Sequence, residues 1–392
     1  MFNKSDNSRN EYMLKGKLAK NGYDWWWHSF TGINAKTGEE KPFFIEFFAL
    51  NPKYGKKYPV FSDETDNSEK KKGKNKPSYI MIKAGCHGEN AVQLHRFYGV
   101  KRVLFKEGNP FEIYAGECFL NENETRGKIR VSKKDSEEHP EKMSDAGEMI
   151  WNLSIKKEIA YNVGYGASKL FRDINAFEMY WHAQGMKTKY EGYVIFNGER
   201  FDVLPDKSYG YADKNWGSDF TSPWVWLSSN NLYSKTSGKK LENSAFDIGG
   251  GKPRVFGIPL DRKLLGGFFY EGRELEYNFS KFWTNARQRF ASEETEDEIR
   301  WKVWLENRKT LMKIEVRCKK KDMLLVKYQS PDGMKRHDRL FNGGNGRGLI
   351  QIFEKNSYGL LLLDEIEARN VGCEYGEYNK IYQKNAKKHK KQ

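Results

Sequence analysis

The sequence predicts an all-β protein in which two antiparallel β-barrel or sandwich domains pack together. Aromatic residues make up 15% of the 392 residues and glycines number 36, a composition that suits ring-filled sheets joined by tight turns. Runs of strand length recur through most of the chain, and one short pattern repeats at about half the chain length. The domains are expected at residues 1–205 and 206–383, followed by a basic, disordered tail at 384–392.

Strand signals begin near the N-terminus. The run at 41–50, KPFFIEFFAL, is rich in Phe and Ile and ends before an Asn-Pro pair, as a strand does. The segment at 190–203, YEGYVIFNGERFDV, predicts a hairpin that turns at Asn197-Gly198, because a type I′ turn requires positive φ at both central residues. The segment at 266–279, GGFFYEGRELEYNF, repeats that hairpin pattern.

The last third of the chain predicts a meander of strands. Residues 299–318 alternate apolar and charged side chains, which is the period-2 pattern of a strand with one wet face. The segments 323–337 and 348–368 continue the same pattern. Helical signal is limited to 143–159, where one or two turns are expected.

The internal repeat appears when the chain is shifted by 199 positions, since 224 − 25 = 199. Trp25 then aligns with Trp224 and Trp27 with Trp226, and a Lys-Thr turn follows in both places. The match is short, yet it predicts two related β domains that each open on the same kind of strand. Because alternate side chains of a strand point to opposite faces, Trp26 is expected to face away from its two neighbours.

The net charge of +15 suggests a nucleic-acid partner, but much of the excess sits in two segments. Five lysines lie within 384–392, and the cluster SEKKKGKNK at 68–76 stands beside acidic residues that offset it. Both segments are typical of solvated chain. The aromatic residues follow strand periodicity rather than alternate with basic residues, so no nucleic acid partner is expected. The basic tail predicts only a weak association with membrane surfaces.

Cysteine usage and hydropathy favour a soluble, cytoplasmic protein. The four cysteines are far apart and form no CxxC pair, which fits a reducing compartment. No run approaches the roughly 18 apolar residues that a membrane-spanning helix needs, and the N-terminus has no apolar signal region. The sequence therefore predicts no integral membrane segment.

Signatures of nucleotide or metal binding are weak. The segment VGYGASKL at 163–170 lacks the third glycine of a dinucleotide motif, and DIGGGKP at 247–253 lacks a Walker pattern. Both are interpreted as loops or bulges. His87 and His95 would need a third ligand from elsewhere to hold a metal, so no metal site is expected.

The segment at 209–226, YGYADKNWGSDFTSPWVW, has two opposing interpretations. If Asp213 lies on a ring-lined wall, desolvation raises its pKa and the protonated carboxyl can donate a proton. Indole faces nearby could stabilise the resulting cation, while Lys214 and Asn215 bind a polar end of the ligand. Alternatively, Asp213 and Lys214 form a salt bridge at a turn and the tryptophans belong to the core. Composition alone favours this second interpretation.

The same segment resembles the tocopherol cyclase family, part of a wider set of paired lipocalin-like proteins that includes carotenoid hydratases. The resembling residues are Tyr211, Asp213, Lys214, Asn215, Trp216, Gly217, Phe220, Trp224, Trp226 and Asn230. Segments at 25–48, 164–185, 192–203 and 349–376 also resemble the family, although only the cluster from Asp213 to Trp226 is specific. The chain departs from the plant cyclases, which carry Glu where Asp213 stands.

The resemblance implies two lipocalin-like barrels that enclose a lipophilic small molecule, with no metal or organic cofactor. It also implies cyclisation or hydration of an unsaturated, prenylated substrate that begins with protonation of its double bond. The predicted catalytic residues are Asp213, Lys214 and Asn215, and the predicted substrate-binding residues are Tyr209, Tyr211, Trp216, Trp224, Trp226 and Trp27.

Three alternatives remain open at the level of sequence. The first is a non-catalytic carrier of a lipophilic molecule, since barrels of this type commonly serve that purpose. The second is a polyanion-binding protein, suggested by the net charge. The third is another reaction in the same barrel, such as an isomerisation, because each needs only a shaped apolar pocket and one positioned proton donor.

Overall fold

The computed structural model of the chain describes residues 9–61, 76–108, 110–162, 177–252, 254–255, 258–259, 261–279, 285–334 and 336–377. Strands make up 65% and helices 6%, which confirms the predicted all-β class, and the sheets form a closed barrel and a curled half-barrel. The glycine segment at 163–170, residues 68–75 of the lysine cluster and the tail at 384–392 lie outside the described residues.

The first sheet contains twelve of the described strands, all in antiparallel pairs. In chain order they are β1 (Tyr23–Asn34), β2 (Glu40–Leu50), β3 (Tyr79–Cys86), β4 (Val92–Tyr98), β5 (Val103–Lys106), β6 (Glu112–Ala115), β7 (Cys118–Asn121), β8 (Glu124–Val131), β9 (Gly147–Tyr161), β10 (Met179–Phe196), β11 (Glu199–Val203) and β12 (Gly210–Gly217). Their order across the sheet is β4-β3-β2-β1-β11-β10-β9-β8-β7-β6-β5, and β12 pairs with both β1 and β10.

The remaining described strands form the second sheet and one small hairpin. They are β13 (Trp224–Ser229), β14 (Asn231–Ser234), β15 (Ala245–Gly251), β16 (Arg254–Val255), β17 (Ile258–Pro259), β18 (Lys263–Tyr270), β19 (Arg273–Asn278), β20 (Arg287–Glu294), β21 (Glu298–Glu306), β22 (Thr310–Lys319), β23 (Leu324–Gln329), β24 (Arg336–Asn356) and β25 (Gly359–Glu377). The second sheet has the order β19-β18-β15-β13-β25-β24-β22-β21-β20, with β14 paired to β25 and β23 to β24. Strands β16 and β17 pair only with each other.

Helices are few and short in the described part of the chain. One α-helix, α1 (Lys133–Glu138), is capped by the Ser132 side chain, which accepts a hydrogen bond from the Asp135 amide. Short 3₁₀ helices lie at Pro52–Tyr54, Val100–Arg102, Pro140–Lys142 and Lys320–Asp322. Among the described residues, no helix has the length and hydropathy needed to cross a lipid bilayer.

The structure corrects two local predictions. The helical turns expected at 143–159 are absent, because most of that segment is strand β9 and its side chains from Met149 to Ile155 alternate between buried and outward positions. The glycine run predicted as a loop at 247–253 is mostly strand β15, buried along its whole length. The hairpin at Asn197-Gly198 is confirmed, with φ of 48° and 86°.

Three clusters of buried apolar side chains form the core of the protein. One fills the interior of the first sheet and another the interior of the second. The third, here called the shared layer, lies between the sheets and takes residues from both, including Tyr23, Trp27, Phe44, Phe48, Trp181, Tyr211, Phe220, Trp224, Trp226, Leu265 and Tyr328. Every candidate site residue described below borders either the shared layer or the first-sheet interior.

The tryptophan repeat has a structural counterpart at the shared layer. Trp25 and Trp27 face this layer from β1, whereas Trp26 points into the first-sheet interior, as the alternation predicts. Trp224 and Trp226 face the same layer from β13 of the second sheet. The domain limits 1–205 and 206–383 stay a prediction, and by hydrogen bonding the first sheet extends through β12 while the second begins at β13.

Candidate functional site

Strand β12 carries the predicted catalytic residues and presents two different faces. Its side chains alternate, so Asp213 lies opposite Trp27 of β1 and faces the shared layer with Tyr211 and Asn215. Lys214 and Trp216 point the other way, into the first-sheet interior. The structure therefore does not bring all the predicted site residues to one surface.

Asp213 is a buried carboxyl group that lies among indole rings. Its Oδ2 accepts a hydrogen bond from Trp181 Nε1 at 3.0 Å, while Oδ1 has no hydrogen-bond partner among the described residues. Burial raises the pKa of Asp213 well above its ordinary value, and the nearby Asp247 and Glu374 carboxylates raise it further. Hydrogen bonding from the Trp181 and then the Trp25 indole opposes this shift in pKa without reversing it. Asp213 thus retains its proton in conditions where an exposed aspartate has lost it.

Two further carboxyl groups approach the shared layer from the second sheet. Asp247 of β15 accepts hydrogen bonds from Trp226 Nε1 at 2.9 Å and from the Tyr211 hydroxyl at 3.0 Å. Glu374 of β25 accepts one from Trp224 Nε1 at 2.7 Å. Burial raises the pKa of both carboxyls. Together with Asp213 they form three carboxyl–indole pairs, here called the acid cluster (Asp213, Asp247, Glu374).

Two glycines make room for indole rings of the acid cluster. A Cβ atom on Gly249 would lie 3.0 Å from the Trp181 ring of the first sheet, and one on Gly372 would lie 2.4 Å from the Trp226 ring on the neighbouring strand β13. Larger side chains would therefore displace the indoles that bind Asp213 and Asp247. Gly249 is thus the glycine of β15 that lets the two sheets approach here.

The ammonium group of Lys83 is a buried cation at the shared layer, beside Glu46 and Tyr328. Lys83 Nζ is 2.5 Å from Glu46 Oε2 and 2.6 Å from the Tyr328 hydroxyl, which also donates to Glu46. Burial lowers the pKa of Lys83, while Glu46 and then Glu374 raise it. No sequence motif indicated these residues. The available signal was a single charged residue inside each of two apolar strands, at Glu46 and Lys83.

Lys214 lies on the first-sheet side of β12, away from the acid cluster. It forms a fully buried ion pair with Asp24, and its ammonium lies 4.1 Å from the centre of the Trp26 ring and 5.2 Å from that of Trp216. Burial lowers the pKa of Lys214 to about 8 and raises that of Asp24 to about 6, with each partner opposing the other's shift. These contacts assign Lys214 and Trp216 to the framework that fixes β12 against β1.

Asn215 stays on the acid-cluster side of β12. Its Oδ1 accepts a hydrogen bond from the Tyr23 hydroxyl at 2.7 Å, and its Nδ2 has no hydrogen-bond partner among the described residues. It is fully buried, so the free amide donor is available only to a group that enters the layer.

A narrow cleft of about 20 Å³, enough for about one water molecule, opens at the edge of the shared layer. Its walls include Trp27, His87, Tyr209 and Trp226. The Trp27 indole nitrogen and His87 Nδ1 are buried and lack hydrogen-bond partners among the described residues. Tyr209 has a left-handed backbone with φ of 43°, a conformation that a bulky residue adopts only when its surroundings impose it. The cleft thus combines ring walls with two unused polar atoms.

The chain was compared with known proteins. The profile of the tocopherol cyclase-like family matches residues 120–376, which is well over half of the chain. No curated protein matches it.

Two solved structures share its overall path at low identity. Kievitone hydratase from Nectria haematococca is 10% identical with a TM-score of 0.46, covering 96% of each chain. CghA with Sch210972 is 9% identical with a TM-score of 0.45, covering 92% of this chain and 89% of its own. At this level of similarity neither structure indicates what this chain does. The family match confirms the resemblance seen in the sequence, and the chain belongs to the tocopherol cyclase-like family.

Proposed function

We propose that the chain is a cyclase or hydratase that acts on an unsaturated, prenylated, apolar molecule, with Asp213 as the proton donor. The observation that carries this proposal is the state of Asp213: a buried carboxyl with a raised pKa and one oxygen without a partner. A carboxyl that holds its proton at neutral pH can donate it to a substrate. The family match supports the same class of reaction.

In the proposed reaction Asp213 donates a proton and recovers one at the end, so the acid is regenerated. The π electrons of the substrate double bond form a C–H bond with the Asp213 proton, leaving a tertiary carbocation and an Asp213 carboxylate. A lone pair of the substrate's own hydroxyl, or of water, then forms a C–O bond at the cationic carbon. The oxygen releases a proton, which returns to Asp213. Capture by the hydroxyl gives a ring, and capture by water gives an alcohol.

Groups around Asp213 can stabilise both the carbocation and the carboxylate that proton transfer produces. The faces of Trp27 and Trp181 offer negative π density to a carbocation. The Trp181 N–H stabilises the carboxylate that remains after proton transfer. In this proposal one hydroxyl group of the substrate binds in the narrow cleft lined by Tyr209, where Trp27 Nε1 and His87 Nδ1 are available.

Replacement of Asp213 by Asn tests the assignment. The variant protein and the wild type are incubated with a panel of prenylated hydroquinones in deuterated water, and products are analysed by mass spectrometry. Wild-type product should carry one deuterium on carbon, while the variant should lose about 10²- to 10⁴-fold in rate with ligand binding retained. The exposed Asp297 provides a matched control, Asp297→Asn. Unchanged turnover in the Asp213 variant contradicts the proposal.

A carrier function is the second candidate, and one observation favours it. Each carboxyl of the acid cluster is bonded by an indole N–H, as a buried structural carboxyl would be. Native mass spectrometry distinguishes the two functions. A lipid that co-purifies and is returned unaltered after incubation supports the carrier, whereas conversion of bound ligand supports the enzyme.

A further inference from the structure

Four arginines lie side by side on the second sheet, away from the acid cluster. Arg300 of β21 stands opposite Arg317 of β22, which stands opposite Arg347 of β24. Arg369 of β25 lines the same cleft as Arg317 and Arg347. Directly opposed residues project from one face of a sheet on strands about 4.8 Å apart, so the guanidinium groups repel one another. Such a row is stabilised when negative charge is placed along it.

Each of the two outer arginines is already paired with a carboxylate. Arg300 Nε is 2.5 Å from Glu298 Oε1, and Arg369 donates to both carboxylate oxygens of Glu367 at 2.9 and 3.2 Å. Arg317 and Arg347, in the middle of the row, are exposed and make no ion pair with a carboxylate of the described residues. Arg347 is near enough to Glu367 to help lower the pKa of that carboxyl, but neither middle arginine has an ion-pair partner among the described residues.

The middle arginines open into a polar cleft of about 730 Å³. Its charged walls are Arg317, Lys319, Arg347 and Arg369 against Glu40, Glu298 and Asp322. One of those acids, Glu298, is already bonded to Arg300. The side chains of Asn231 and Asn370 complete the wall, where Asn231 Nδ2 donates a hydrogen bond to Asn370 Oδ1 at 2.6 Å.

This arginine cleft adjoins the cleft at the edge of the shared layer. Tyr209 and Asn370 line both. A group bound at Arg317 and Arg347 would therefore lie near Tyr209, at the boundary between the two clefts.

We propose that Arg317 and Arg347 form a binding site for a phosphoryl dianion, such as a phosphate monoester. Two guanidinium groups without ion-pair partners match a charge of two, and planar guanidinium groups bind phosphate oxygens in pairs. A single carboxylate would leave one arginine uncompensated. A long polyanion would need the outer arginines, which Glu298 and Glu367 already occupy. The phosphoryl group belongs either to free phosphate or to the head of an amphipathic molecule.

Titration calorimetry on the full chain tests the site, with inorganic phosphate and decyl phosphate as probes. The variants are Arg317→Gln and Arg347→Gln, and Lys313→Gln on the same exposed face of β22 is the control. We expect roughly tenfold or greater loss of affinity in each arginine variant, since a charge-assisted hydrogen bond is lost, and no change in the control. Circular dichroism verifies that each variant is folded.

The two probes distinguish the source of the phosphoryl group, and either answer supports the site. Tighter binding of decyl phosphate indicates an amphipathic ligand, and equal binding indicates free phosphate. No binding to the wild type, equal affinity in all variants, or binding only to RNA would overturn the proposal. The site is independent of the proton chemistry, so Asp213→Asn should retain phosphate affinity.

Discussion

The raised pKa of Asp213 has a measurable consequence for stability. A carboxyl whose folded-state pKa exceeds its unfolded value contributes stability that is complete below the unfolded pKa and is lost as pH rises through the folded pKa. The unfolded pKa is near 3.8, and burial with the charges of Asp247 and Glu374 places the folded value well above it. We therefore expect the free energy of unfolding to fall as pH rises from about 4, and Asp213→Asn to reduce that fall.

The size of the effect follows from linkage. Each such carboxyl changes the free energy of unfolding by about 1.4 kcal/mol per pH unit between its two pKa values. If Asp213 keeps its proton through pH 7, wild type should lose about 2.7 kcal/mol more than Asp213→Asn between pH 5 and pH 7. Urea unfolding followed by tryptophan fluorescence at each pH measures this difference.

The control is Asp297→Asn, an exposed position where the same chemical change should leave the pH dependence of the wild type intact. Parallel curves for wild type and Asp213→Asn over this pH range would show that Asp213 is ionised in the folded protein. In that case it cannot serve as the proton donor.

Two other variants have defined outcomes. Trp181→Phe removes the hydrogen bond that lowers the pKa of Asp213, so the alkaline limb of the pH–rate profile should move to higher pH; an unmoved limb would show that the bond does not influence the acid. Lys214→Met leaves Asp24 buried without its partner and should lower the free energy of unfolding by about 3–5 kcal/mol in urea titrations, whereas the double change with Asp24→Leu should restore most of the loss. A fully stable single variant would contradict the framework role of Lys214.

Local sequence patterns were sufficient for the fold class. Period-2 alternation and the Asn197-Gly198 turn identified strands and a hairpin that the structure confirms. The same alternation explains why Asp213 and Lys214, as neighbours in β12, face opposite layers. The segment at 143–159 predicts turns of helix. Its apolar residues alternate, however, and most of it is strand β9.

The composition of the acid cluster could not be predicted from local sequence. Asp247 and Glu374 lie on β15 and β25, and only the stacking of the second sheet on the first brings them near Asp213. The glycine run after Asp247 resembles a loop in sequence, yet it lies in a buried strand in which Gly249 lets Trp181 approach. Contacts between strands so distant along the chain leave no signal in any one segment.

Infrared spectroscopy of the ligand-free protein tests most directly whether Asp213 is a protonated acid. At neutral pH we expect the carbonyl band of a protonated carboxylic acid in the wild type, reduced by one group in Asp213→Asn and unchanged in Asp297→Asn. If the difference spectrum between wild type and Asp213→Asn instead contains only the bands of an ionised carboxylate, Asp213 has no proton to donate and the proposed chemistry is contradicted.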